Sequence, residues 1–118
     1  MRDLAPDVFR QRLLIEGIFR RQVDEDAIGE YFGKITKALN LEMYGEPIIF
    51  SPGGLGKEQN QGYDAFVPLI DSGISVYVWT KAKLLSIVMF TCKGFDEKAA
   101  VEVTKEFFDI GEIEYQSF

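Results

Sequence analysis

Polar and apolar positions alternate most regularly between Asp71 and Cys92, in DSGISVYVWTKAKLLSIVMFTC. Ile74, Val76 and Val78 take one face there, and Ser75, Tyr77 and Trp79 take the other. That period of two marks a half-buried strand. Thr80-Lys81-Ala82-Lys83 interrupts it, and an apolar, β-rich run resumes from Leu84 to Cys92. The stretch therefore predicts a hairpin, with arms too short to span a bilayer. Leu13 to Phe19 predicts an earlier strand, with Glu16 as its one mid-strand charge. Asp24 to Asn40 predicts a helix. Asp24 can cap it, Glu25 and Asp26 suit its positive end, and Ile28, Tyr31, Phe32, Ile35, Ala38 and Leu39 recur at helical spacing. Pro47 to Phe50 and Tyr63 to Ile70 predict two further strands. The second holds Pro68, which places it at a sheet edge or a bulge. Asp96 opens a second predicted helix over Glu97 to Phe108, with Ala100, Val103, Thr104 and Phe107 facing inward. Gly111 then breaks the chain before a last strand from Glu112 to Phe118.

The order β-α-β-β-β-β-α-β predicts an α+β, two-layer sandwich: a mainly antiparallel sheet with two helices on one face. The other sheet face carries too many aromatics to stay wet and is expected to pack on a second copy. At 118 residues and 47% hydrophobic, the chain is read as a single domain over 1–118. A net charge of −6 argues against a general nucleic-acid binder, which needs a basic face. It suits cytosolic solubility, or a cationic ligand. One cysteine cannot build a disulfide framework and fits a reducing, cytoplasmic setting. The start, MRDLAPDVFRQR, lacks the apolar core of a signal peptide.

The chain has no histidine. That removes Ser-His and Cys-His nucleophile pairs and the commonest zinc ligand. No acidic spacing suggests a magnesium site either, so no metal is expected. Any catalysis rests on carboxylates, Lys, Tyr, Ser, Cys or a bound cofactor. The loop SPGGLGKEQNQG contains a GGLGK run, but Ser51 stands where a phosphate loop needs its first Gly and Glu58 where it needs Ser or Thr. It reads as a hairpin loop.

Asp71-Ser72, the strand ending in Trp79, the short turn and Phe90-Thr91-Cys92 resemble the core of the bacterial and archaeal S-adenosylmethionine decarboxylases. The spacing from Ser72 to Cys92 matches without a gap, and the order of elements extends the resemblance more weakly along the chain. The resemblance implies the same fold and a homodimer paired through its sheets. It also implies a polyamine-pathway chemistry. Family members are proenzymes in which the serine hydroxyl attacks the preceding carbonyl and the resulting ester eliminates. A pyruvoyl group is left on the downstream chain, where it takes the part that pyridoxal plays elsewhere. By resemblance Ser72 is the pyruvoyl precursor and Asp71–Ser72 the cleavage site. Cys92 stands where a cysteine returns a proton to the product. Glu16 matches an acidic residue that faces the substrate, and Trp79 the family's tryptophan.

The departures concern processing. Gly73 stands for a histidine, Tyr77 for the histidine that assists cleavage, Thr80-Lys81 for Pro-Glu, and Asp64 for an upstream serine. A phenol is a poor proton acceptor near neutral pH, which leaves Asp64, Tyr77 and Lys81 as substitutes. One reading is an unprocessed, catalytically degenerate member without a cofactor. It would bind a small cationic adenosyl or amine ligand, or regulate an active paralogue. The alternative is an active pyruvoyl-dependent decarboxylase of S-adenosylmethionine or another amino acid. Taken singly, Ser72 is also an ordinary turn serine, Cys92 a small buried hydrophobe and Glu16 a solvent-facing strand residue, which leaves a purely structural module as a third reading. In the first two, Glu16, Ser72 and Cys92 are expected to converge on one pocket.

Overall fold

The alternating segments hydrogen-bond into one sheet, because each offers the core a single apolar face. The computed structural model describes residues 1–51, 55–58 and 61–118, so the GGLGK reading lies partly outside the described residues. In chain order the elements are β1 (Gln11–Phe19), α1 (Glu25–Ala38), β2 (Ile48–Phe50), β3 (Gly62–Leu69), β4 (Ser72–Trp79), β5 (Leu84–Thr91), α2 (Glu97–Phe108) and β6 (Ile110–Ser117). The strands lie in the order β2-β3-β4-β5-β1-β6, and every neighbouring pair is antiparallel. The expected α+β architecture is the observed one. No helix among the described residues is long and apolar enough to cross a membrane.

One sheet face is buried under the helices. Leu13, Ile15, Val67, Ile74, Val76, Leu85, Ile87 and Met89 stand on it, fully inaccessible to water. Ile28, Tyr31, Phe32 and Ile35 come down from α1, and Ala100 and Phe108 from α2. Asp24 and Asp96 cap the two helices, accepting from the amides of Ala27 at 2.9 Å and Ala99 at 3.1 Å. Between the helices the Tyr31 ring lies 4.8 Å from that of Phe108, and its hydroxyl is 2.8 Å from Thr104 Oγ1. Thr104 spends its one proton on the Ala100 carbonyl at 2.7 Å, so Tyr31 is the donor. Burial in this apolar layer pushes the Tyr31 phenol above its ordinary value.

β3 is the second strand of the sheet and not an edge strand, but Pro68 lies beyond the stretch that β2 pairs with. Its carbonyl accepts from the Tyr44 amide at 2.8 Å, so its missing N–H points to the side on which β2 has already ended. Three expectations need correction. Ala38 is exposed at the end of α1. In α2 the buried face is Ala100, Val101, Thr104 and Phe108, with Val103 and Phe107 half-buried, because Phe108 turns in to meet Tyr31. Gly111 lies inside β6. The chain reverses one step earlier, at Asp109, which caps α2 in the left-handed region at φ 50°. Arg20 holds that corner through the Asp109 carbonyl at 3.2 Å and carboxylate at 3.1 Å.

The opposite sheet face has no helix over it. Phe50, Phe66, Phe90 and Tyr77 are 62%, 41%, 41% and 38% exposed there.

Candidate active site

The corner between β3 and β4 holds three of the sequence candidates. Leu69 pairs with Ser72, so Ile70 and Asp71 alone make the turn. A turn that tight needs a residue in the left-handed region, and Asp71 adopts it at φ 56°. Aspartate tolerates that conformation better than most side chains. β5 runs antiparallel to β4 and ends at Thr91, beside the start of β4. The backbone N–H of Cys92 donates to Ser72 Oγ at 2.9 Å, so the two residues meet as the hairpin register requires.

Asp71, Ser72 and Cys92 line one cleft of about 430 Å³. Glu42 and Lys93 line it too, and sequence reading missed both. Neither lies in a motif; the end of α1 brings in Glu42, and the end of β5 brings in Lys93 beside Cys92. Asn40 leaves that helix in the left-handed region at φ 57°, and its carbonyl accepts from Lys93 Nζ at 2.8 Å. The cleft thus offers a hydroxyl, a thiol, two carboxylates and an ammonium. Cys92 is exposed, which corrects its reading as a small buried hydrophobe: it lies one residue past the end of β5.

The remaining candidates lie elsewhere. Tyr77 is five residues along β4 from Ser72, about 17 Å at strand rise, and on the open face. There it is opposite Asp64 of β3 and Ser86 of β5. Ser86 is in turn opposite Glu16 of β1, and Glu16 is opposite Glu114 of β6. A polar row of Asp64, Tyr77, Ser86, Glu16 and Glu114 therefore crosses the open face. Trp79 flanks it one pair further along, opposite Leu84 and Gly62. A Cβ on Gly62 would lie 1.8 Å from the Val78 carbonyl oxygen, so only glycine fits beside that tryptophan. Glu16 does not converge with Ser72 and Cys92 within one chain. The register pairs it with Ser86, whereas Gln11 is the β1 residue beside Thr91. Glu16 lines a separate recess of about 240 Å³ with Glu112, Glu114, Ile18 and Leu84.

Gly73, which takes the place of a histidine in the resemblance, is covered. A Cβ built on it would lie 2.5 Å from Phe66 Cε1 and 2.7 Å from Cζ. The ring of the neighbouring strand occupies the volume a side chain at 73 would need.

The family described as S-adenosylmethionine decarboxylase matches residues 16–118. The chain belongs to that family. Among solved structures, the fold is similar to the crystal structure of the adenosylmethionine decarboxylase from Aquifex aeolicus VF5. The TM-score is 0.70 at 20% sequence identity, over 94% of this chain and 89% of that one. No curated protein matches the sequence. The match to the family embraces both groups of candidates, the corner of Asp71, Ser72 and Cys92 and the row through Tyr77 and Glu16.

Proposed function

We propose that this S-adenosylmethionine decarboxylase-family protein stays uncleaved at Asp71–Ser72 and acts as a ligand-binding or regulatory homodimer. The observation that carries the reading is the packing at Gly73. The imidazole expected there is gone, and Phe66 has taken its space. The second histidine is Tyr77, about 17 Å along the strand from Ser72. The cleft holds Ser72, by resemblance the precursor of a pyruvoyl group, beside Cys92, and the chain lacks the histidines that would assist its conversion. General acid–base assistance of that kind is typically worth about two to four powers of ten in rate.

Binding outlasts the loss of such groups. The open face presents the Glu16 carboxylate with Trp79, Tyr77 and other aromatic rings nearby, a setting suited to a small cationic adenosyl or amine ligand. Paired sheets would enclose that ligand and cover the aromatic face, which at its present exposure favours association. Asp64, a member of the row, and Lys81, in the turn between β4 and β5, have no assigned part.

Mass spectrometry of the denatured, purified protein tests the reading. A single species at the full-chain mass is expected. Fragments 1–71 and 72–118, with a pyruvoyl group opening the second, would overturn it. Calorimetry with S-adenosylmethionine and with its decarboxylated product then tests the ligand, with weaker heat expected from Glu16→Gln. Silence with both compounds would remove the ligand-binding role.

A further inference from the structure

Charge on the sheet is divided unevenly. Arg12 is the one Lys or Arg in the six strands, against Glu16, Asp64, Glu112 and Glu114. Arg12 and Glu16 alternate with the fully buried Leu13 and Ile15, so both belong to the open face. Glu114 is registered opposite Glu16, and Glu112 shares their recess.

Within the protomer, among the described residues, neither Arg12 nor the Glu16–Glu114 pair makes an ion pair; the nearest compensation for Arg12 is Asp3, whose carboxyl is held below its ordinary value by the Ala5 amide and Arg10 and, more weakly, by Arg12. The Nε of Arg12 is buried without a hydrogen-bond partner, the one such side-chain atom among the described residues. Its guanidinium lies 5.8 Å from the centroid of the Phe118 ring, and Phe90 is its neighbour on β5. A buried cationic N–H with no acceptor is costly. Glu16 and Glu114 face each other directly across two strands, an arrangement in which like charges repel. The two ion pairs among the described residues, Arg10–Asp3 and Arg20–Asp109, involve neither of them. Arg12 cannot reach them, since four residues of strand separate it from Glu16 by about 13 Å.

One operation brings the two together. Leu14 lies midway between Arg12 and Glu16, in a row with Val88 and Phe66. A two-fold axis laid across the strands above Leu14 turns the open face onto that of a second copy. It sets Arg12 of each copy over Glu16 and Glu114 of the other, so one contact is made twice. We propose that Arg12 is the recognition residue of the sheet-to-sheet homodimer, its guanidinium meeting the Glu16–Glu114 pair of the second copy. The planar fork of a guanidinium suits carboxylates held side by side. One cation against two anions leaves one negative charge for a cationic ligand. The inference rests on the homodimer of the preceding reading and adds what specifies it.

The test is the dimer dissociation constant, measured by sedimentation at low and high salt. The proteins compared are the full-length chain, Arg12→Met, the paired Glu16→Gln/Glu114→Gln variant, and all three changes combined. Arg12→Met and the paired variant should each weaken the dimer about tenfold or more, as close interfacial charge pairs do. The combined variant should be no weaker than either, and the salt dependence should vanish. Met keeps the apolar stem and removes the orphaned Nε, so Arg12→Met should unfold at an equal or higher temperature when dilute. An unchanged dissociation constant overturns the inference, as do independent, multiplying effects. A lower unfolding temperature with the dimer intact overturns it as well, by marking Arg12 as structural. A parent chain that is monomeric throughout overturns the sheet dimer and this inference together, whereas a dimer indifferent to Arg12 overturns this inference alone.

Discussion

Adding one carbon at Gly73 tests the local packing most directly. Gly73 does not adopt positive φ, so alanine is compatible with its backbone. On that ground alone Gly73→Ala should stabilise the strand by about 0.5–1 kcal/mol, by lowering the entropy of the unfolded chain. The opposing term is steric. The new carbon would meet Phe66 at 2.5 and 2.7 Å, where carbon atoms prefer about 3.5–4 Å. The ring must withdraw by about 1 Å, and overpacking of this kind costs about 1–3 kcal/mol. Phe66 is 41% exposed and can swing outward, which favours the lower part of that range. Gly73→Ala should therefore destabilise by about 0.5–1.5 kcal/mol. In a Phe66→Ala background the clash is gone, and the same change should stabilise by about 0.5–1 kcal/mol. Urea unfolding of the four proteins at one fixed concentration measures the coupling. If Gly73→Ala stabilises both backgrounds alike, Phe66 does not fill the site and the packing argument for an uncleaved chain falls with it. Gly73→His should behave as a larger version of the same clash and leave the chain whole.

Three further perturbations have definite expectations. Asp71 in the left-handed region should accept Asn or Gly with little change in denaturation midpoint, while Asp71→Val should cost about 1–2 kcal/mol. The Tyr31–Thr104 hydrogen bond should respond asymmetrically in the same assay. Thr104→Val strands a buried phenol and should cost about 1–3 kcal/mol, whereas Tyr31→Phe leaves Thr104 bonded to Ala100 and should cost about 0.5–1.5 kcal/mol. The Tyr31 phenol is held above its ordinary value in the folded state, so its contribution is complete below about pH 10 and should be lost as pH rises beyond that, where the unfolded chain ionises first. A stability profile in that range as steep for Tyr31→Phe as for the parent chain would refute this.

The strands and both helix caps were legible because they rest on local chemistry. Asp24 and Asp96 each precede an amphipathic run, and each caps it. The pairing of Ser72 with Cys92 was legible for the same reason, since a hairpin register fixes which ends meet. Asp109 was passed over as a chain reversal because glycine two positions later is the commoner signal, and the contact with Arg20 that holds the corner spans most of the chain. Glu42 and Lys93 carry no pattern of their own: Glu42 reaches the cleft through the packing of α1, and Lys93, next to Cys92, through the end of β5. Glu16 was misplaced relative to Ser72 because its distance depends on the β1–β5 pairing, and these strands are not consecutive in the chain. Cover of Gly73 by Phe66 was illegible for a like reason: it depends on which β3 residues face β4.

The two-residue corner at Ile70–Asp71 also determines what a break in the backbone would do. Residues before it supply β1, β2 and β3, and residues after it supply β4, β5 and β6. In the sheet these two sets interleave, with β1 clasped between β5 and β6 and β4 clasped between β3 and β5. Three ladders join the halves, β3–β4, β1–β5 and β1–β6, and neither half can depart without unzipping all three. A chain severed at that corner would keep its shape, its mass in solution and its neighbours, as a split protein does whose halves are knitted rather than merely docked. Hydrolysis at this bond would leave the two pieces held together in the native state, and a denaturing measurement would be needed to separate them.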